Sequence, residues 1–246
     1  MNRKYSWIPD TPDHRDLKYS LNAVVPYPES YDQRTQDTAV DDQGPLGSCT
    51  GNAIAGSIAF ENKQAGKAPF KPSRLFIYYN ERRMEGTIKQ DAGAMIRDGI
   101  KSVASEGVCS ETLWPYDISK FTKRPLSKCY TEARKHKVAQ YARVPQTEAA
   151  LKSIISQGNT IVFGFSVYES FESQEVASSG VMPMPAKSEK LLGGHAVLMV
   201  GYTKDHYIVR NSWGTAWGDH GYFYMPKDYP INSDLADDFW VITSVS

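Results

Sequence analysis

Apolar residues recur at helical spacing in four stretches, three of them in the first half of the chain. Residues 48–64 carry Ala53, Ile54, Ala55, Ile58 and Ala59 at such intervals and predict a buried helix. Pro72-Ser73 opens a second pattern through Leu75, Phe76, Tyr78 and Tyr79, with Ser73 placed to cap it. A third runs from about Met95 to Glu106, with Ile96, Ile100, Val103 and Ala104 on one face and Gly107 as its stop. Thr147 caps a shorter fourth, carrying Leu151, Ile154 and Ile155 and ending at Gly158. Strand-like runs follow at 160–168, 195–202, 206–211, 221–225 and 239–243. Helices early and strands late predict an α+β protein, in one domain or in two lobes side by side. Residues 1–26 hold neither period and are rich in Pro, Asp and aromatics, which predicts an extended segment.

Composition narrows the classes. The chain is 246 residues long, enough to bury a sizeable core, and its 28 basic and 28 acidic residues cancel. No global field draws it to nucleic acid or to an anionic membrane. The locally basic stretch 120–137 reads as a solvated face. The N-terminus lacks the apolar run of a secretory signal, no stretch has the apolar length of a membrane span, and no Asn-x-Ser/Thr acceptor occurs. Three cysteines are too few for a disulfide framework, so a reducing, cytoplasmic setting is expected, although a chain shorn of its leader would read the same. A Cys109–Cys129 bridge is permitted but not implied. Phosphate loops, metal-ligand clusters and dinucleotide fingerprints are missing, so neither metal nor cofactor is inferred.

Three short runs carry candidate chemistry. Gly47-Ser48-Cys49 sits at the mouth of the first predicted helix, where unpaired amides and a partial positive charge favour a thiolate. Alone it is weak, because a free Cys is more often a small buried hydrophobe. In Gly193-Gly194-His195-Ala196-Val197 a histidine opens an apolar strand, and the glycines permit close approach of another backbone. His14, His136, His206 and His220 stand in polar or turn-like settings and read as structural. In Asn211-Ser212-Trp213-Gly214-Thr215-Ala216-Trp217-Gly218, an Asn precedes two tryptophans set between glycines, more than a plain turn requires. His195 lies 146 residues after Cys49, and Asn211 lies 16 after His195. A helix-borne Cys with His and Asn that far downstream fits a thiol protease arrangement.

Gln43-Gly44-Pro45-Leu46-Gly47-Ser48-Cys49, Gly194-His195-Ala196-Val197 and Asn211-Ser212-Trp213-Gly214 resemble the three signature blocks of the papain (C1) cysteine peptidases. The resemblance runs from about Pro28 to the C-terminus, with Gly107-Val108 and Tyr116 between the blocks. It implies two lobes, a mainly helical one over 27–137 and an antiparallel β-barrel over 138–246, with the active cleft between them. It implies Cys49 as nucleophile, His195 as acid–base partner, Asn211 as its orienter and Gln43 as an oxyanion donor. Trp213 would cover the Asn–His bond and Trp217 would wall the leaving-group side. Gly93, Ala94, Met95 and Ile96 fall where the family holds the substrate backbone and lines its main specificity pocket. Met95 and Ile96 there would favour an apolar residue two positions before the scissile bond. Leu46 stands where the family usually has a cysteine, Thr50 where an aromatic commonly follows the nucleophile, Gly194 where Asp or Asn often precedes the histidine, and Ala94 where a second glycine is usual. These departures suggest a divergent, non-secreted branch, bacterial or viral.

The activity implied is hydrolysis of peptide bonds, endopeptidase by default, on protein or peptide substrates by a monomer. A Cys49 thiolate paired with the His195 imidazolium would attack the acyl carbon, and water would release the thioester. Acyltransferases use the same pair but normally with Asp as third member, deamidation would use the same groups on another carbonyl, and a catalytically dead scaffold would not keep all four residues. Residues 1–26 are too short and proline-rich for the helical propeptide usual in the family. They are expected either along the cleft or as an outer strut, with the strut ahead and Tyr5, Trp7, Ile8, Leu17 and Tyr19 as anchors.

Overall fold

The computed structural model describes residues 4–20 and 26–246. The helices are α1 Cys49–Gln64, α2 Arg74–Glu85, α3 Ile96–Glu106, α4 Ser127–Ala133, α5 Glu148–Ser156 and α6 Gln174–Ser179. The strands are β1 Tyr31–Asp32, β2 Val138–Arg143, β3 Ile161–Tyr168, β4 Leu191–Tyr202, β5 His206–Arg210, β6 Tyr222–Pro226 and β7 Ala236–Val245. Capping follows the local chemistry. The Ser73 hydroxyl accepts from the Phe76 amide and the Thr147 hydroxyl from the Ala150 amide. Gly107, at φ 81°, ends α3. The main difference from the sequence pattern is at β4, which begins four residues earlier than His195. Gly193 and Gly194 therefore lie inside its ladder, opposite Val167 and Ser166.

All strand pairs are antiparallel, in the order β2-β7-β3-β4-β5-β6, with β1 added on β4. No ladder joins β6 to β2 among the described residues, so the strand lobe is a sheet open along one seam. One face, with Val162, Leu198, Val200, Trp240 and Ile242, packs on Ile54 and Ile58 of α1. The other, with Phe163, Phe165, Val197, Met199 and Val241, packs under Leu151, Ile154 and Ile155 of α5. Burial on both faces explains why these strands read as continuous apolar runs. The result is a two-lobed α+β fold with α1 at the junction.

The N-terminal segment crosses both lobes. Residues 10–19 lie along the junction and are held by charge. Asp10 accepts from the Arg97 amide, from Trp240 Nε1 at 2.9 Å and from Arg143 at 3.1 Å. Asp16 pairs with Arg97 at 3.3 Å, and Arg143 pairs with Asp238 at 2.6 Å. The Leu17 carbonyl and the Tyr19 amide then bond the backbone of Arg143, at the end of β2. Leu17, expected as an apolar anchor, is 64% exposed; the buried residues of this stretch are Asp10 and Asp16. Cys109 and Cys129 are buried and unbridged.

Beneath the nucleophile helix, Glu81 of α2 is fully buried. Its Oε1 accepts from the Thr50 hydroxyl at 2.6 Å, while Oε2 has no partner among the described residues. Burial pushes this carboxyl up to about 8. An unfolded Glu ionises near 4.3, so the native state must hold a proton that the unfolded chain has released. The stability linked to Glu81 is therefore complete below the unfolded value and declines as pH rises towards 8. Replacing Glu81 with Gln should shrink the fall in melting temperature between pH 5 and pH 8 relative to the unsubstituted chain. A constant offset between the two melting curves across that range would refute this account.

Candidate active site

Cys49 is the first residue of α1, and no acidic residue lies in its first turn. The turn before it is fastened by Asp91, which accepts from the Gly47 amide at 3.0 Å, from Tyr78 OH at 2.6 Å and from Lys4. Asn52 Nδ2 returns to the Ser48 carbonyl at 2.9 Å, and Tyr116 OH bonds both Ser48 Oγ and the Gln43 carbonyl. Side chains thus fix the loop, and the helix end stays open towards the cleft.

His195 reaches the same place from β4 in the other lobe. Its Nε2 lies 2.8 Å from Asn211 Oδ1. That oxygen also accepts from the Ser212 amide at 2.8 Å, which identifies it as oxygen and puts the ring proton on Nε2. Nδ1 is thereby the nitrogen available to exchange a proton. Trp213 stacks on the His195 ring with centroids 5.0 Å apart, and Trp217 meets Trp213 edge-on at 4.8 Å. The Ala196 amide, next in chain to His195, hydrogen-bonds the Cys49 sulfur.

Gln43 ties the lobes together. Its amide donates to the Ser212 carbonyl at 2.9 Å, and Ser212 Oγ donates to its Oε1 at 2.6 Å. Its Nε2 donates once, to the Leu46 carbonyl at 2.9 Å, which leaves a second N–H beside the nucleophile loop. Gln43, His195, Asn211 and Trp213 therefore form one cluster connected through Ser212, and Cys49 adjoins it at Ala196, the residue after His195. Of the other expected residues, Gly93 and Ala94 line the cleft, Met95 caps α3, Ile96 is buried in the helical core and Trp217 packs behind Trp213.

The cleft is filled by residues 5–8. Trp7 pairs with Ala94 in a parallel bridge: the Ala94 amide donates to the Ser6 carbonyl at 3.2 Å, and the Ile8 amide donates to the Ala94 carbonyl at 3.1 Å. On the opposite wall the Trp7 amide donates to the Gly194 carbonyl at 2.9 Å. Ser6 Oγ sits 3.5 Å from Cys49 Sγ, and the Tyr5 ring stands edge-on to His195. Cys49 is 0% exposed as a result. Burial pushes its thiol up from the ordinary value, against the hydrogen bonds from Ser6 and Ala196. Ser6, Asp91 and Ser212 were not legible as site residues, because each acts through a partner at least 43 positions away.

A thiol on a helix N-terminus, facing a histidine fixed by an asparagine across a two-lobed cleft, defines a thiol-dependent acyl hydrolase. Residues 27–241 match the family described as papain family cysteine protease, and the chain belongs to that family. It is similar to an uncharacterised peptidase C1-like protein of Acanthamoeba polyphaga mimivirus, at 44% identity over 239 residues, 93% of this chain and 75% of that one. A cathepsin L-like peptidase of Aedes aegypti is 28% identical over 84% of this chain, which spans 60% of the mosquito protein. Among solved structures, xylellain, a cysteine protease from Xylella fastidiosa, superposes with a TM-score of 0.91 at 43% identity, over 100% of this chain and 99% of that one. The protein is a cysteine-type peptidase, a hydrolase that cuts peptide bonds. No helix among the described residues is long and apolar enough to cross a membrane.

If Ser6 and Trp7 cover the sulfur as described, Cys49 should react slowly with iodoacetamide in the full chain. Trp7→Ala should speed its alkylation at neutral pH, read by mass spectrometry of the Cys49 peptide. Equal rates in the two proteins would show that the segment does not guard the thiol.

Proposed function

We propose that Cys49 is the nucleophile, that His195 Nδ1 takes and returns its proton, that Asn211 holds the ring, and that Gln43 Nε2 and the Cys49 amide receive the oxyanion. The observation that carries the reading is the Nε2–Oδ1 bond of 2.8 Å between His195 and Asn211, which commits the ring to one tautomer. Each oxyanion donor is commonly worth about 3 kcal/mol of barrier. All of these groups come from one chain, in keeping with action as a monomer. A polypeptide already threads the cleft past the sulfur in both directions, from Tyr5 beside Trp213 to Trp7 beside Ala94, which favours endopeptidase action on proteins. Cys49→Ala and His195→Ala should abolish hydrolysis of a mixed peptide library, and Asn211→Ala should leave a reduced, measurable rate. A peptidyl epoxide should label Cys49 stoichiometrically. Comparable turnover by wild type and Cys49→Ala would end this reading.

We propose that the N-terminal segment serves in both roles, which the sequence offered as alternatives. Residues 5–8 act as a plug, and 10–19 act as a strut. The plug runs opposite to a substrate. It passes from Trp213, on the leaving-group side, towards Ala94, and its bridge to Ala94 is parallel. A hydroxyl therefore meets the sulfur where a substrate would present a carbonyl carbon, which favours a latent enzyme that does not cut its own plug. Trp7→Ala should raise turnover severalfold with little change in melting temperature. Asp16→Ala, which strips Arg97 of a buried partner, should lower the melting temperature instead, since breaking a buried pair commonly costs about 3–5 kcal/mol. A Trp7→Ala protein with unchanged turnover would make the plug a bystander.

A further inference from the structure

Trp7 occupies a built recess. Its ring lies over adjacent strands where side chains are missing: a Cβ on Gly164 would come 2.0 Å from Trp7 Cε2, and one on Gly194 would come 2.7 Å from Trp7 Cε3. Gly164 pairs with Ala196 and Ser166 with Gly194, so both glycines face the same side of the β3–β4 ladder. At the edge of this flat floor stands Asp238, fully buried, on a left-handed backbone with φ 58°. Such a conformation costs of order 1 kcal/mol for a non-glycine residue and persists where the surroundings hold it. Its Oδ2 accepts from Trp7 Nε1 at 3.1 Å and from the Asp10 amide at 2.7 Å. Its Oδ1 is taken by Arg143 at 2.6 Å.

The backbone groups around this recess are the Ala94 amide and carbonyl and the Gly194 carbonyl. On the reading proposed above, on which this inference rests, a substrate must use those same groups once the plug withdraws. Its residue opposite Ala94, two positions before the cleaved bond, then enters the recess that Trp7 vacates. Withdrawal of Trp7 removes one donor from a buried carboxylate, and an apolar side chain cannot replace it. A flat floor admits a planar ring. Arg143 stands 2.6 Å from Asp238, although it is shared with Asp10, Asp16 and Asp237, and a second guanidinium would be set beside it against its like charge. The remaining chemistry is a planar, uncharged ring that carries an N–H.

We propose that Asp238 is a specificity residue and that the protease selects tryptophan two positions before the scissile bond, by an indole N–H to Asp238 hydrogen bond over the Gly164–Gly194 floor. This departs from a simple apolar preference set by Met95 and Ile96. A pocket built to accept a substrate N–H discriminates against an isostere that lacks it.

The test uses full-chain Trp7→Ala and peptides identical except at that position, carrying tryptophan, benzothienylalanine (sulfur in place of the N–H), phenylalanine, leucine or arginine. The tryptophan peptide should exceed benzothienylalanine in kcat/KM by about 10-fold or more. Asp238→Ala should bring that ratio close to one, and Asp238→Asn, which keeps an acceptor oxygen, should retain part of it. The comparison of peptides on an intact pocket stands even if the Asp238 variants do not fold. Equal rates for tryptophan and its isostere, or a preference for arginine, would overturn the assignment. A calorimetric arm with Cys49→Ala in the same background separates the two readings. Binding that discriminates without cleavage in the Trp7→Ala enzyme upholds the recess and sinks the peptidase mechanism. Cleavage without discrimination does the reverse.

Discussion

The proposed active pair is drawn from two lobes, so the structure depends on how rigidly α1 packs on β4. Cys49 rides on the helix and His195 on the strand, and an error of 1 Å between them would cost orders of magnitude in rate. The interface is accordingly close. A Cβ on Gly56 would lie 3.3 Å from Leu198 Cδ2. Ile54, Ile58, Leu198, Val200 and Ile208 form one continuous core across the junction. Over that core Ser212 bonds Gln43 by side chain and backbone, so Gln43 is tied to the loop that carries Asn211.

The departures from the usual family residues become intelligible once the segment is in place. Gly194 leaves room that a side chain would fill with a contact of 2.7 Å to Trp7. Ala94 keeps both backbone groups free to pair with residues 6 and 8. Leu46, without a disulfide partner, is buried in the core that surrounds the nucleophile loop. Thr50 turns its hydroxyl to Glu81 beneath the helix. The catalytic groups retain their types, while the residues around them fit a chain that carries its own ligand in the cleft.

What was legible in the sequence was what repeats locally or punctuates sharply. The spacing of Ile54 and Ile58, the caps Ser73 and Thr147, the stop at Gly107 and the blocks around Cys49, His195 and Asn211 all express local rules. The two-residue β1 and the partly buried β2 lack a buried alternation to read. Asp10, Asp16, Arg143 and Asp238 were hidden for another reason. Charged residues are surface residues by default, and only long-range pairing shows that the three aspartates are buried and that Arg143 is half-buried among them. The apolar expectation for Leu17 failed for the same cause, since charge and not hydrophobic burial anchors that stretch.

The two halves of the segment differ in how firmly they are held, and this bears on how a plug can be both effective and removable. Residues 10–19 share their carboxylates with α3, β2 and β7, and losing them strips the buried Arg97 of its Asp16 partner. Residues 5–8 are held by three backbone bonds, one indole hydrogen bond and the contacts of two rings, which places them at the low-stability end of the fold. The strut keeps the plug at an effective concentration of about 1 mM, the usual order for a short tether. A plug with an intrinsic dissociation constant of about 0.1 mM would then fill the cleft roughly nine-tenths of the time. A substrate needs only to compete with that modest affinity, and the tether restores closure when product leaves. Strong anchoring at Asp10 and Asp16 is what allows weak binding at Trp7 to suffice.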